Sequence, residues 1–335
     1  MPPSVSSNPL PSPPPRLFQL HPDLDGSRSS VSSDEEAEVE SVLVGPLRRK
    51  KLKSEVQRRI QRETDSYWKN KIGNLLMQGD FLGLLIEEED HVTWKSFLWG
   101  LPRGVAKFAI NASLNTLPTG DNLKRWGKRT SDACRICIGN GRQTLHHLLS
   151  SCNVSLEQGR FTFRHDSCLR TITDYLSGRV YDGFEIFSDL AGRGSGPNRT
   201  IPFDLVITSQ RPDLVIVNRA LKQIVIFELT VPWDRNVQNA HEYKMNKYAA
   251  LVIDLQNAGY VVDLYCFEIS VRGQVTKANK ARLKSLIHRY TNAGRLGFKK
   301  LITNVSKASL LASFAIFCAR DEAHWSQVND LSVQI

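Results

Sequence analysis

The sequence lacks the features that carry a chain into or across a membrane. Its first residues are rich in Pro and Ser and contain no apolar core of a signal peptide. The longest apolar stretch, residues 310–319, is too short and too polar to span a bilayer. The six cysteines of this 335-residue chain are not those of a small secreted disulfide scaffold. We expect an intracellular protein with reduced thiols and no membrane partner.

Two catalytic signatures are also missing. The glycine-rich stretch at residues 192–197 lacks the full dinucleotide pattern and follows no convincing strand, which excludes a nucleotide-binding loop of that kind. No Ala-Asp-Asp triplet occurs, so the sequence shows no polymerase centre. No internal repeat is found. Any chemistry must therefore come from other residues.

Basic side chains are in excess. Lys and Arg number 44 against 34 Asp and Glu, for a net charge of +10, which favours a polyanion such as DNA or RNA as partner. Residues 1–45 are rich in Pro and Ser and predicted to be disordered. Residues 46–127 are predicted to form a basic helical region. Its basic block, residues 48–62, fits a nuclear-import signal or an arm that contacts phosphates, and a solvated helix face is the alternative.

A compact cluster of metal-binding residue types follows at residues 128–158. Cys134 and Cys137 are separated by two residues, His147 follows nine residues later, and Cys152 four residues after that. A Cys-x-x-Cys turn and a His and Cys on successive helical turns can supply the four corners of a zinc site. We predict a structural CCHC zinc knuckle, with His146 as the alternative to His147 and unrelated buried cysteines as the other interpretation. Nearby basic residues, among them Arg135, favour contact with phosphates.

The remainder, residues 159–325, alternates between strand and helix patterns. A helix is predicted around residues 169–176 and a long one at 236–257, with a further helical region at 277–320. Strands are predicted at four places: residues 203–208, 213–218, 223–232 and 260–270. A helix that crosses over between strands indicates the α/β class with a mixed sheet flanked by helices.

Two acidic residues stand at the ends of neighbouring apolar strands. If the turn between them is centred between residues 220 and 221, Asp213 and Glu228 face each other across a hairpin. Carboxylates that close repel unless a cation lies between them, and Mg²⁺ prefers such oxygen ligands. A one-residue slip in register would instead put the two on opposite faces of the sheet.

Lysines on the following helix are the natural partners of this acidic pair. Lys244 falls near the middle of an otherwise apolar stripe, and Lys247 is close by. A lysine that points toward a sheet is costly unless an acidic group compensates it. Such a lysine can stabilise the negative charge of a reacting phosphate. The alternative is a side chain that reaches solvent from the edge of the stripe.

The order of these motifs resembles a known family. After the Cys and His cluster come Arg164, His165 and Asp166, and then the strings RPDLVIV, ELTVPWD, KMNKYAAL and GYVVDLYCFEISVRG. Residues 55–320 are similar to the C-terminal part of the polyprotein of site-specific non-LTR retrotransposons that use a restriction-like endonuclease. The resemblance implies a PD-(D/E)xK nuclease core that nicks DNA.

The resemblance also implies roles for individual residues. Asp213 and Glu228 would be the magnesium ligands. Thr230 stands where the general nuclease motif has its lysine, so Lys244 or Lys247 would supply that lysine from the helix, and the choice between them stays open. The residues implied to contact nucleic acid or support the site are Arg164, His165, Arg211 and Tyr248.

These observations predict a Mg²⁺-dependent DNA endonuclease with a structural zinc ion. Because no polymerase motif is present, we expect a truncated copy, a gene-model fragment or a domesticated endonuclease of such an element. A catalytically inactive protein that binds DNA or RNA is the second hypothesis. A zinc-stabilised interaction protein with no nucleic-acid role is the third.

Overall fold

The computed structural model describes residues 46–75, 78–79, 81–83, 97–137, 141–190, 194 and 200–325. The predicted disordered segment at 1–45 and most of the 192–197 stretch lie outside the described residues. The chain divides into two compact units, residues 1–64 and 65–335. The described part of the first unit is the beginning of helix α1, Pro46–Gly73. Its exposed surface carries basic side chains, some held by ion pairs along the helix such as Arg59 to Glu63 at 3.1 Å.

Helical segments of 5 to 18 residues precede the sheet in the second unit. They are α2 (Arg103–Ser113), α3 (Gly120–Arg125), a π-helical turn (His147–Ser151), α4 (Asn153–Glu157) and α5 (Arg160–Ser177). Helix α3 is capped by the side chain of Thr119, which accepts a hydrogen bond from the backbone N of Asn122 at 3.2 Å, because the threonine hydroxyl precedes the first helical turn and can reach its free N–H groups.

Four strands form one mixed sheet in the order β1-β2-β3-β4. They are β1 (Glu185–Ser188), β2 (Leu214–Asn218), β3 (Gln223–Thr230) and β4 (Val261–Glu268). The first two pairings are antiparallel and the third is parallel. The predicted strand at residues 203–208 is wrong. Residues 203–205 form a turn and residues 206–208 have no regular secondary structure, and the place beside β2 is taken by β1.

Helices cover both faces of the sheet. Helix α6 (Val237–Asn257) connects β3 to β4 and packs on one face, where Ile224 and Ile226 of β3 meet Leu251 and Leu255. The alternate residues of β3, such as Phe227, face the core formed with α5, α7 (Lys277–Tyr290) and α8 (Arg295–Cys318). Because side chains alternate along a strand, Glu228 falls on the α6 face. The α/β class with a mixed sheet is therefore confirmed.

Helix α8 extends well beyond the predicted apolar stretch at 310–319. Among the described residues it is the one helix long and apolar enough, by length and composition, to cross a membrane. More than half of that window, 56%, is buried inside the fold, and Leu301, Val305 and Leu310 lie in the core. A helix buried on its own chain behaves as a core helix, and we interpret α8 in this way.

Candidate metal centre and acidic site

The predicted zinc ligands converge at one point. The ligand atoms of Cys134, Cys137, His147 and Cys152 all lie within 4.8 Å of one another. The Sγ atom of Cys137 is 3.0 Å from Sγ of Cys152 and 3.3 Å from Nε2 of His147. Ligands of a tetrahedral zinc lie about 2.0–2.3 Å from the ion, which places them roughly 3–4 Å apart. The four side chains fit one Zn²⁺ in a closed site.

The local backbone explains the ligand spacing. The backbone N of Cys134 donates to the carbonyl of Gly141 at 2.9 Å, which closes the loop that carries the first two cysteines. His147 begins the π-helical turn and Cys152 follows it. In an α-helix two residues five apart point in different directions, whereas a π-helical turn brings residue i close to residue i+5. The turn therefore aims both side chains at the same ion.

The neighbouring histidine has a different environment. The ring of His146 packs edge-on against Trp233, with 5.1 Å between ring centroids, and the structure selects His147 as the ligand. Burial, with the thiols of Cys152 and Cys134, raises the pKa of the Cys137 thiol to about 12. This thiol therefore keeps its proton at neutral pH unless a metal ion displaces it.

Asp213 immediately precedes β2, and Glu228 lies near the end of β3. The register pairs Leu214 with Phe227 and Asn218 with Gln223, so the predicted hairpin register is confirmed. The backbone N of Asp213 donates to Oε2 of Glu228 at 3.2 Å. The backbone N of Leu229 donates to Oδ2 of Asp213 at 2.7 Å. Both carboxylates are buried, and each is held by the backbone beside the other.

Helix α6 brings a lysine onto this pair. Nζ of Lys244 contacts Oε1 of Glu228 directly. Nζ of Lys247 lies 3.9 Å from the same oxygen and donates to the hydroxyl of Tyr248 at 2.9 Å. The side chain of Lys244 is 20% exposed and that of Lys247 38%. Of the two lysines that the sequence left open, the geometry therefore favours Lys244.

The charged side chains in this site shift one another's pKa. Burial raises the pKa of Glu228, the neighbouring Asp213 raises it further, and Lys244 opposes both. Burial acts to lower the pKa of Lys244, but Glu228 and Asp213 outweigh it and raise the pKa above its ordinary value. Each group thus depends on the other for its charged form.

His165 is a second cationic partner. Its Nε2 lies 3.2 Å from Oδ2 of Asp213, and its Nδ1 lies 3.0 Å from Oδ1 of Asp166. Burial acts to lower the pKa of His165, but these two carboxylates raise it to about 10. His165 is therefore an imidazolium at neutral pH. The histidine that the resemblance implies for nucleic-acid contact lies within the acidic site.

Comparison with known families bears on the metal centre. Residues 81–158 match the family model described as zinc-binding in reverse transcriptase. This segment is thus similar to a zinc-binding domain of reverse transcriptases. The match supports zinc as the ion and a retrotransposon-related protein associated with nucleic acid. Comparison with curated proteins gives no match.

The zinc-binding domain shares a core with the rest of the second unit. Leu148 and Leu149 of the π-helical turn pack with Phe108 of α2 and with Leu310 and Ile316 of α8. Arg272 is fully buried, forms an ion pair with Asp234 at 2.6 Å and donates to the carbonyl of Ala112 in α2 at 3.0 Å. These contacts join the zinc-binding domain to Arg272, which follows β4, and to helix α8.

Two of the residues implied to contact nucleic acid are buried instead. Arg164 is 2% exposed and donates to the carbonyl of Leu149 at 2.9 Å, so a contact with DNA is corrected to a structural contact with the zinc-binding domain. Tyr248 is fully buried and donates to the carbonyl of Arg211 at 3.1 Å. Burial inside the core keeps both side chains from a ligand in solvent, and Tyr248 supports the acidic site.

The other two basic residues remain accessible. The side chain of Arg135 is 59% exposed, with Asp321 at 3.9 Å. The side chain of Arg211 is 45% exposed and pairs with Asp189. Asp189, whose backbone N donates to the carbonyl of Asp213 at 2.8 Å, was not singled out from the sequence. Its place beside the acidic pair depends on the pairing of β1 with β2.

Sequence reasoning also missed His241 and Glu268. Nδ1 of His241 lies 3.0 Å from Oε1 of Glu268. His241 is three residues before Lys244 on α6, and Glu268 ends β4 on the same sheet face as Glu228. The helical step and the strand alternation are the signals that could have found them.

Proposed function

We propose that this protein is a Mg²⁺-dependent DNA endonuclease with a PD-(D/E)xK core, in which Asp213, Glu228 and Lys244 form the catalytic site. The observation that carries the proposal is the convergence of these three side chains from the start of β2, the end of β3 and the face of α6. Two acids and a lysine at the edge of a mixed sheet suit phosphodiester cleavage. An adjacent zinc-binding domain related to reverse transcriptases is consistent with a nucleic-acid substrate.

The acidic pair has donors suited to a hard cation. The contacts of the Asp213 carboxylate use Oδ2. Its other oxygen, Oδ1, makes no hydrogen bond among the described residues. Glu228 adds a second carboxylate in the same place. Mg²⁺ is held by such oxygens together with waters and phosphates, and when bound it supplies a Lewis acid and an activated water.

The lysine from α6 takes the place of the usual motif lysine. Thr230 occupies that position in the strand, and its hydroxyl is buried without a hydrogen bond. Lys244 reaches Glu228 from the helix instead. A cation held at this point binds a phosphate oxygen and stabilises the charge that develops as the phosphodiester bond breaks.

The remaining parts of the chain supply binding surface in this proposal. Arg135 beside the metal centre and Arg211 beside the acidic pair contact phosphates, and the basic helix α1 contributes positive charge. The division into a basic helical region, a zinc-binding segment and a nuclease domain from residue 159 is part of the same proposal, as is a nuclear location.

Nicking of supercoiled plasmid by the full chain tests the function. The protein with Mg²⁺ should produce nicked circles. Asp213→Asn and Glu228→Gln should each reduce the rate by about 10²-fold or more, because both remove charge that holds the cation. Asp254→Asn, which removes an exposed carboxylate elsewhere on α6, is the matched control and should nick at the unchanged rate. Equal nicking by all four proteins contradicts the assignment.

One observation favours a second candidate, a catalytically inactive nucleic-acid-binding protein. Lys244 neutralises Glu228 and His165 neutralises Asp213 without any metal ion, so the cluster is also complete as an internal ion network. On that hypothesis DNA binding weakens with salt, and no divalent metal supports nicking. Binding without nicking under Mg²⁺ and Mn²⁺ would establish this candidate over the first.

A further inference from the structure

The interface between α6 and the sheet changes from apolar to charged along the helix. The side chains of α6 that are withdrawn from solvent and face the sheet follow steps of three and four residues: His241, Lys244, Tyr248, Leu251 and Leu255. The last two pack on apolar strand residues. The first two meet Glu268 and Glu228 near the ends of β4 and β3. The face that positions Lys244 therefore also positions a histidine and a second acid.

The carboxylate of Glu268 contacts one particular ring nitrogen of His241. Nδ1 of His241 lies 3.0 Å from Oε1 of Glu268. The side chain of Glu268 is 1% exposed. Among the described residues Nε2 of His241 has no hydrogen-bond partner, and the side chain is 15% exposed. A carboxylate on one ring nitrogen fixes the proton there and leaves the other nitrogen as a base. The accessible basic atom is thus Nε2.

The strand register puts this pair beside the acidic site. In the parallel pairing of β3 with β4, Glu228 lies opposite Cys266, and Thr230 lies opposite Glu268. Glu268 is two residues beyond Cys266 and so points to the same face. His241 is three residues before Lys244, which makes the two neighbours on the helix surface. The charged groups around His241 are Glu268 on β4 and Lys244 on its own helix. Arg282 of α7 contacts Glu268 in turn.

We infer that His241 accepts the proton of the attacking water in phosphodiester cleavage and that Glu268 is its positioning residue. The inference rests on the proposed nuclease function. The water oxygen forms a bond to phosphorus while its proton moves to Nε2 of His241. The bond from phosphorus to the leaving sugar oxygen breaks, and the electron pair stays on that oxygen, which takes a proton from solvent. The products are a phosphate monoester and a free hydroxyl, and His241 returns its proton to solvent.

A purely structural role makes different predictions. Glu268 also lies 3.4 Å from Nη1 of Arg282, and its carbonyl accepts from Asn279 at 2.9 Å, so the pair could serve only to join α6, β4 and α7. In that case His241→Ala lowers stability and lowers nicking only in proportion to the folded fraction. In our inference His241→Ala changes the chemistry of a folded protein.

The experiment measures plasmid nicking by the full chain across a range of pH, with and without added imidazole. His241→Ala should lower the nicking rate by about 10²–10⁴-fold, with DNA affinity and melting temperature near those of the wild type. Free imidazole should restore part of the rate. Glu268→Gln should lower the rate by about 10–100-fold, the range for loss of a partner that orients a histidine. His288→Ala, which removes an exposed histidine on α7, is the control and should behave as the wild type.

Four outcomes overturn the inference and differ in meaning. If the wild type nicks and His241→Ala nicks at the same rate with the same pH profile, His241 has no catalytic role and the proposed function stands. If His241→Ala loses nicking together with its fold, His241→Gln takes its place. A folded His241→Gln variant with wild-type nicking then overturns the inference, as does a slow variant that imidazole does not rescue. If the wild type does not nick while it still binds DNA, both the inference and the proposed function fail.

Discussion

The metal centre and the acidic site differ in what neutralises the charge of their side chains. At the metal centre the converging groups are three thiols and one imidazole. At the acidic site Asp213 and Glu228 are each matched by a cation of the chain, His165 and Lys244. The first arrangement needs a metal ion to bring its ligands together, whereas the second is already neutralised without one. Metal removal should therefore affect folding at one site and only function at the other.

A physical link connects the two regions. Arg164 donates to the carbonyl of Leu149, which lies between the zinc ligands His147 and Cys152. The next residue, His165, contacts Asp213. The two sites therefore differ in how they are neutralised, but helix α5 carries one contact to each.

Zinc removal should have the largest effect. Chelation, or the substitution Cys137→Ser, should release about one zinc per chain and unfold the domain at residues 81–158, because binding energy of a structural zinc is on the order of 10 kcal/mol and acts as folding energy. Elemental analysis and thermal melting measure both. Cys318→Ser, at an exposed free thiol, is the control and should keep its zinc. Removal of Mg²⁺ should leave the melting temperature of the wild type nearly unchanged. A purified protein without zinc contradicts the metal centre.

Loss of Lys244 should have the next largest effect. Lys244→Ala leaves Glu228 buried with its nearest cation removed, which should destabilise the fold by about 3 kcal/mol. Urea unfolding measures the change. Lys247→Ala is the matched control on the same helix, and since Nζ of Lys247 is 3.9 Å from Glu228 and more exposed, it should cost less than about 1 kcal/mol. Added Mg²⁺ should recover part of the loss in Lys244→Ala, because a cation then replaces the ammonium group. Equal effects of the two substitutions would contradict the choice of Lys244.

The link through Arg164 should give an intermediate effect on both regions. Arg164→Met fills much of the same space but leaves the carbonyl of Leu149 without its buried donor, at a cost of about 2–3 kcal/mol. We expect weaker zinc binding in a chelator competition and a changed environment of His165 in NMR spectra. Arg170→Met is the control, since Arg170 lies on the exposed side of the same helix. If zinc binding is unchanged in Arg164→Met, the two sites are independent.

The parts of the fold that the sequence predicts depend on near neighbours in the chain. The zinc ligands lie within one short segment, and the hairpin register follows from the turn between Asn218 and Lys222 and from strand alternation. The stripe of α6 follows from its helical period, which is why Lys244 could be proposed before its contact with Glu228 was known. Local patterns of this kind are set by backbone geometry and do not require the tertiary structure.

The parts that the sequence did not predict depend on distant contacts. Arg164 is a basic residue in a basic chain, and its burial becomes evident only when the carbonyl of Leu149 and the side chain of Ser313 are seen around it. The segment at 203–208 has strand composition, yet β1 takes the place beside β2. His241 and Glu268 are 27 residues apart and meet because α6 crosses over to a parallel strand. Tertiary packing decides each of these cases.

The smallest predicted effect is a pH dependence that belongs to the acidic site alone. His165 has an ordinary pKa of 6.5, and Asp166 and Asp213 raise it to about 10 against the opposing effect of burial. A raised pKa in the folded state means that the stabilising contribution is complete below pH 6.5 and is lost as the pH rises toward 10. In buffer without Mg²⁺ and with the zinc ion retained, urea unfolding from pH 6.5 to 10 should show this decline in the wild type and not in His165→Gln, with His288→Ala as the control that retains it. A decline of equal size in His165→Gln would mean that Asp213 has no cationic partner in solution, and the contrast between the two sites would then disappear.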